Sequence, residues 1–265
     1  MKKNQDKTSQ DRQFVDSIAR AFSILEALSR ANHPLGNGEL SRLVDLPPST
    51  VSRLTYTLTK LGYLRRTSHN RCYELTPKTL TIGYSILESM SILDRVRPYL
   101  NSISMETGET AAIALQDKLH ITFVEVQAGT NLLAVRLATG GRLRIPVSAA
   151  GIAILAALPK RQQWSLAQRL LTDLEERNES SHDFLQALNA CYDQGYAIVR
   201  NSWMTGIGGI STPIEWQGHL AALTIPVSTG GISMAAMQQR LAPILLEAAR
   251  EIGSPTIHPV MRGQL

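Results

Sequence analysis

Between Pro47 and Arg71 the chain reads PPSTVSRLTYTLTKLGYLRRTSHNR, and this run holds the residues best suited to meet a polyanion. Val51, Leu54, Leu58 and Leu61 share one stripe of a helical wheel, while Ser49, Ser52, Arg53, Tyr56 and Lys60 share the opposite face. From Leu46 to Tyr73 there are five Lys or Arg and no Asp or Glu, as a surface facing phosphates requires. Periodicity alone also fits an ordinary solvated helix, so the flanking elements must decide.

A second run, Leu143-Arg144-Ile145-Pro146-Val147-Ser148-Ala149-Ala150-Gly151, suits a smaller anion. With Ser148 as cap, a helix starting there aims the free N–H groups of Ala149, Ala150 and Gly151 at a pocket. The alternative is a tight helix start packed on a sheet. Other chemistry finds little support. The six histidines (33, 69, 120, 182, 219, 258) are scattered without HExxH spacing, no serine sits in GxSxG, and Cys72 and Cys191 form no CxxC pair. No catalytic residue, metal site, cofactor or disulfide framework is expected. The glycine pairs 140–141, 208–209 and 230–231 lack phosphate-loop spacing and read as turns or close backbone approaches.

The whole chain carries 43% hydrophobic and 18% charged residues and a net charge of +5. Residues 1–75 hold 12 Lys plus Arg against 7 Asp plus Glu; residues 76–265 hold 15 of each. All the excess positive charge lies in the first quarter, which points to a nucleic-acid-facing module joined to a neutral one, although a small basic domain also arises for solubility alone. No apolar h-region and no membrane-length apolar run is present, so a cytoplasmic protein without membrane contact is expected.

The elements around Pro47–Arg71 supply what that face needs. Residues 1–13 are polar and aperiodic and are expected to be a disordered tail. A helix capped by Asp16 or Ser17 should bury Ile18, Phe22, Leu25 and Leu28. Asn37 is placed to cap a short second helix with Leu40, Leu43 and Val44 inward, and Pro48 to begin the third. Gly62 can end that helix, and Tyr63–Thr67 and Cys72–Leu75 can pair as strands around a turn at 68–71. The pattern is a winged helix-turn-helix over 14–75.

In such a module the start of the third helix enters the major groove. Ser49, Thr50, Ser52 and Arg53 are then the candidates for base edges, with Arg53 offering a planar fork for guanine. Tyr56 and Lys60 would meet phosphates. Arg65, Arg66 and Arg71 lie on the wing, and Arg20 on the first helix can reach a phosphate. One such module reads too few base pairs to be selective, which argues for a dimer on a symmetric duplex site.

The runs SIARAFSILEALS and ELSRLVDLPPSTVSRLTYTLTKLGYLRRTSHNRCYELT resemble the N-terminal domain of the IclR family of bacterial transcription regulators. The resemblance continues more loosely through GETAAIAL, GGRLRIPVSAAGIAILAALP, DQGYAIVRNSWMTGIGGISTPI and GHLAALTIPVS. It implies a linker helix over 76–91 that helps build the dimer, and an antiparallel, GAF-like domain over 92–265 for effector binding and oligomerisation.

The residues themselves give that second part an α+β character. Thr76 can cap, and Pro77 begin, a helix to about Met90 with Leu80, Tyr84 and Leu87 on one face, packed either against a partner or within the chain. A helix from Asp94 to Met105 should bury Leu93, Val96, Leu100 and Ile103. TAAIAL, HITFVEVQ, LLAVRL, YAIV, GGISTPI and LAALTIPV read as strands. Helices are expected over GIAILAALP, Trp164–Leu171, DFLQALNACYDQ and from Ser233 to Ile252.

In the resembled family the backbone amides near Ser148 bind a small organic acid. Val199 falls where keto-acid-binding members can carry an acid, Gly209 where many carry a cysteine, and Thr224 and Pro226 where serines are common. Three of the four lack a polar side chain, implying a roomier, less polar pocket for a larger or partly apolar carboxylate, aromatic or sugar-derived. Arg144 can either reach such an acid or stand exposed. The sequence thus reads as a ligand-responsive transcription regulator of a catabolic operon, a homodimer or dimer of dimers on duplex DNA. Two competing readings are an enzyme acting on a small acid and a constitutive dimeric DNA-binding protein without ligand.

Overall fold

Pro47 and Pro48 set the start of the third helix: Pro48 occupies its first position, where a missing N–H costs nothing. In the computed structural model, which describes residues 13–31, 33–67 and 71–259, the first elements are α1 (Asp16–Arg30), α2 (Asn37–Leu43) and α3 (Pro48–Lys60), followed by β1 (Leu64–Arg66) and β2 (Tyr73–Leu75). The two strands pair antiparallel, Leu64 opposite Leu75 and Arg66 opposite Tyr73, and form the wing. Their shared core joins Ile24 and Leu28 of α1, Leu40 of α2, and Val51 and Leu58 of α3 to Leu35, Leu64 and Tyr73. The expected disordered tail, apart from Gln13, and the turn residues 68–70 lie outside the described residues.

Several expected details differ. Val15 and Gly36, not Asp16, Ser17 or Asn37, hold the N-cap positions of α1 and α2. Ile18 and Phe22 are exposed rather than buried, because α1 turns Ile24 and Leu28 to the core, a different stripe from the one they occupy. Leu43 and Leu61, also expected inside, are exposed at the ends of their helices. Thr55 is fully buried instead; its hydroxyl donates to the Val51 carbonyl at 2.9 Å, which removes the cost of enclosing it. After Thr76 a 3-10 turn (Pro77–Thr79) precedes α4 (Leu80–Ser89), none of whose residues is buried.

The chain divides into two units, the second beginning at Met90. It starts with α5 (Ser91–Thr107), which buries Leu93, Val96, Leu100 and Ile103 and ends at Gly108 in the left-handed conformation. The strands β3 (Ala111–Asp117), β4 (His120–Gln127), β5 (Arg142–Arg144), β6 (Ala197–Arg200), β7 (Ile207–Trp216) and β8 (His219–Ser228) form one antiparallel sheet in the order β5-β4-β3-β8-β7-β6. LLAVRL is not a strand. The edge of β4 is taken by the segment after it, where Gly140 and Gly141 bond Phe123 and Arg142 pairs with Thr122. Leu132 and Leu133 are left exposed.

Three helices follow β5: α6 (Ala149–Ala157), α7 (Lys160–Glu176) and α8 (His182–Gln194). Every residue of α6 is buried, as befits a helix that is apolar all round. The last expected helix is three pieces: α9 (Met234–Ala236), capped by Ser233, a π-turn (Met237–Leu241) and α10 (Ala242–Ile252). The fold is therefore α+β, a winged helix-turn-helix followed by an antiparallel sheet domain with helices.

Candidate functional sites

The polar side of α3 stands free of the core. Ser49, Ser52, Arg53, Tyr56 and Lys60 are exposed and Thr50 is half-buried, and of these Thr50 and Arg53 border a groove between α1 and α3. Arg53 makes no ion pair among the described residues, which leaves its fork available. Ser52 is less free: its hydroxyl accepts a hydrogen bond from the Asn37 amide, tying α2 to α3. Lys60 lies 5.6 Å from the centre of the Tyr56 ring.

On the wing, Arg65 is paired with Glu74 at 2.7 Å and Arg66 lies 5.8 Å from the Tyr73 ring. Arg71 is exposed in the left-handed region with φ of 50°. Arg20 is paired with Asp16 at 3.4 Å. Both ion pairs are exposed, so water and salt weaken them and either arginine is readily released to another anion. Two residues outside the expected DNA-contact set support the face, Asn37 in a role other than the expected cap. Asn37 holds Ser52, and Lys78 donates to the Leu61 carbonyl at 2.8 Å while covering Tyr63, so it caps the negative end of α3. Neither has a local sequence signal, because each partner lies at least 15 residues away.

In the second unit, Leu143, Ser148, Ala149, Val199, Gly209, Thr224 and Pro226 border one cavity. The β7–β8 register places Gly209 opposite Pro226 and Ser211 opposite Thr224, bringing distant segments together. Ser148 caps α6, its Oγ accepting the Gly151 N–H at 3.3 Å. The N–H groups of Ala149 and Ala150 belong to the first turn and have no acceptor within the helix. Ala150 and Gly151 do not border the cavity as expected. Gly151 is pressed against Ile145, where a Cβ would stand 2.7 Å from its Cα, so glycine is required there for packing.

The cavity is not roomy: it encloses about 50 Å³. Phe123, Leu137, Val147, Trp203, Ile207 and Gly208 complete its wall and were not anticipated. Leu137 and Trp203 lie in irregular segments, where no periodicity marks an inward side chain. The Thr224 hydroxyl donates to the Ile210 carbonyl at 3.2 Å, which leaves the lining largely apolar. Arg144 takes neither expected course. It is mostly buried and bridges Asp173 at 3.3 Å and Glu179, pinning β5 to α7 and to the segment that follows it.

Among titratable groups, burial first and the Arg142 guanidinium second hold the His120 imidazole below its ordinary range. Burial pushes the Cys191 thiol up to about 12, so it is no nucleophile. Among the described residues no cluster of His, Cys, Asp and Glu is arranged to hold a metal, and no helix is long and apolar enough to cross a membrane.

A winged helix-turn-helix with an exposed basic face on its third helix, followed in the chain by an antiparallel sheet domain, defines the class as DNA-binding transcription regulators. The chain belongs to the IclR family: residues 17–68 match the IclR helix-turn-helix domain and residues 84–254 the C-terminal domain of bacterial IclR transcriptional regulators. It is 32% identical over 250 residues to the Pca regulon regulatory protein of Pseudomonas putida, covering 91% of this chain and 84% of that one. It is 31% identical over 158 residues to the transcriptional repressor IclR of Escherichia coli (strain K12), covering 58% of this chain and 57% of the other. The crystal structure of an IclR family regulator from Brucella abortus superposes with a TM-score of 0.74 at 26% identity, covering 94% of this chain and 95% of that one. The matched domains and relatives are those of regulators, not of enzymes.

Proposed function

We propose that this regulator binds a symmetric operator as a cytoplasmic homodimer, or dimer of dimers, and controls a catabolic gene set in response to an organic carboxylate. In this reading residues 14–75 bind DNA, 76–91 link, and 92–265 bind the effector and oligomerise. Arg53 reads a base with Ser49, Thr50 and Ser52 beside it, while Tyr56, Lys60, Arg20, Arg65, Arg66 and Arg71 meet phosphates. The observation that carries the effector reading is the start of α6: its first N–H groups and the Ser148 hydroxyl lie beside an apolar cavity that is otherwise without charge.

The dimer is supported by apolar surface. Leu80, Ile82, Tyr84 and Ile86 of α4 and Ile18 and Phe22 of α1 are all exposed, apolar surface that a second copy of the chain would cover. The name of the Pseudomonas putida relative, a regulon regulatory protein, accords with control of a gene set.

The effector acts only through its different affinity for states of the dimer that present the two α3 faces differently. Fluorescence anisotropy with a duplex from the protein's own promoter region tests this at fixed salt. The expected result is binding about a thousandfold tighter than to random duplex, and a change in that affinity on adding one member of a carboxylate panel. A duplex bound no better than random DNA sinks the regulatory reading. Tight DNA binding that no acid alters, with no acid raising the melting temperature, marks a constitutive binder instead.

A further inference from the structure

A cavity of about 50 Å³ cannot hold an organic acid of ordinary size as it stands. A benzene ring is accommodated by an apolar cavity of about 150 Å³, so one wall must give way before a ring-bearing effector enters. Most of the wall cannot do so cheaply. Phe123, Val199 and Thr224 are buried in the sheet and held by its hydrogen-bond ladder, and Ala149 is buried at the start of α6.

Trp203 differs from all of these. It borders the cavity yet is 48% exposed, on the connection between β6 and β7. The base of that connection is fixed: Asn201 N–H donates to the Ile207 carbonyl at 2.8 Å, and its Oδ1 accepts from Gly206 N–H at 2.8 Å and from the Thr229 hydroxyl at 3.1 Å. At the tip the Met204 carbonyl accepts the Ile207 N–H at 3.1 Å, while Trp203, Met204 and Thr205 are all exposed, so it is the side chains there that are free to turn. A large indole half in water, on a loop with a pinned base, is well placed to swing from the cavity mouth and close again over a guest.

We infer that Trp203 is the specificity-determining residue of this cavity: a movable aromatic wall that favours a carboxylate with a flat, unsaturated body over a puckered aliphatic acid of the same size. The inference rests on the reading above that a carboxylate binds at α6. The carboxylate meets the donors at Ser148 and Ala149, and the ring lies against the indole, where a planar π-system stacks closely and a puckered saturated ring touches with fewer atoms. Stacking of this kind is worth about three- to tenfold in affinity beyond the area buried.

Benzoate and cyclohexanecarboxylate have the same carbon skeleton size and the same charge, one flat and one puckered. Calorimetric titration of the full chain with each, in wild type, Trp203→Leu and Trp203→Phe, separates the possibilities. The expected result is that wild type prefers benzoate by threefold or more, Trp203→Phe keeps the preference, and Trp203→Leu binds both acids alike with an unchanged melting temperature. A preference that survives in Trp203→Leu, or its absence in wild type that binds both acids, overturns the inference and leaves the cavity reading standing. Wild type that binds neither acid overturns the inference, and only the further failure of every acid in the panel to raise the melting temperature removes the carboxylate reading with it. Should Trp203→Leu fold poorly, Trp203→Phe decides: loss of preference there, with the melting temperature kept, also counts against stacking.

Discussion

The face proposed to read DNA comes from one helix, with Ser49 and Lys60 only 11 residues apart in sequence, whereas the cavity of the second unit is walled by residues drawn from 123 to 226. On α3, core and contact surface are opposite sides of the same turns: Val51, Thr55 and Leu58 face in, and Arg53, Tyr56 and Lys60 face out. In the proposed reading, function there is separable from stability. Around the cavity much of the wall lacks that separation, since Ala149, Val199 and Thr224 are at once its lining and part of the buried interior, whereas the half-exposed Trp203 keeps it.

This contrast is sharpest within α3. Leu58→Ala should lower unfolding free energy by about 2–5 kcal/mol in chemical denaturation, as a buried leucine does. Arg53→Ala should leave that value within about 0.5 kcal/mol, yet weaken operator binding by about 1–3 kcal/mol and relax one base position. A large stability loss in Arg53→Ala would break the separation.

In the second unit, Gly151→Ala should cost about 1–3 kcal/mol of stability by overpacking, because the new methyl has only the Ile145 backbone to displace. It should lower the melting temperature without touching the cavity wall. A neutral outcome would return Gly151 to the set of effector donors. The smallest effect belongs to Lys60→Ala, which should reduce the slope of log affinity against log salt by about 0.9 and weaken all duplexes alike. A change in base preference in that variant would move Lys60 from the phosphates to the base edges.

The same contrast governs what could be read from the sequence. The face of α3 was legible because helical periodicity, Pro48 at the start and the absence of acids are all local. Thr55 escaped because its burial depends on a bond to the Val51 carbonyl, and Ile18 and Phe22 because an apolar stripe does not say whether it faces the chain's own core or something else. In the second unit Ser148 was legible as a cap, and its local bond to Gly151 is the one formed. LLAVRL failed because a strand needs a free neighbour, and the edge of β4 was already occupied by 140–144. Trp203 and Leu137 reach the cavity from irregular segments, where only the assembled fold shows which side chains point inward.

The central claim, that occupancy of the cavity governs the DNA contact, is tested most directly at Gly209. A Cβ there would meet Ile225 O at 3.5 Å, Pro226 Cα at 3.8 Å and Ala149 Cβ at 3.9 Å, all ordinary contacts, so the first carbon of a side chain is accepted and Gly209→Val adds bulk beside Ala149. Operator affinity is measured by anisotropy for wild type and Gly209→Val, with and without the carboxylate that gives wild type its largest thermal shift. Wild type should change its affinity on adding the acid, and Gly209→Val should bind the operator normally and not respond. An equal response in both proteins would contradict the account.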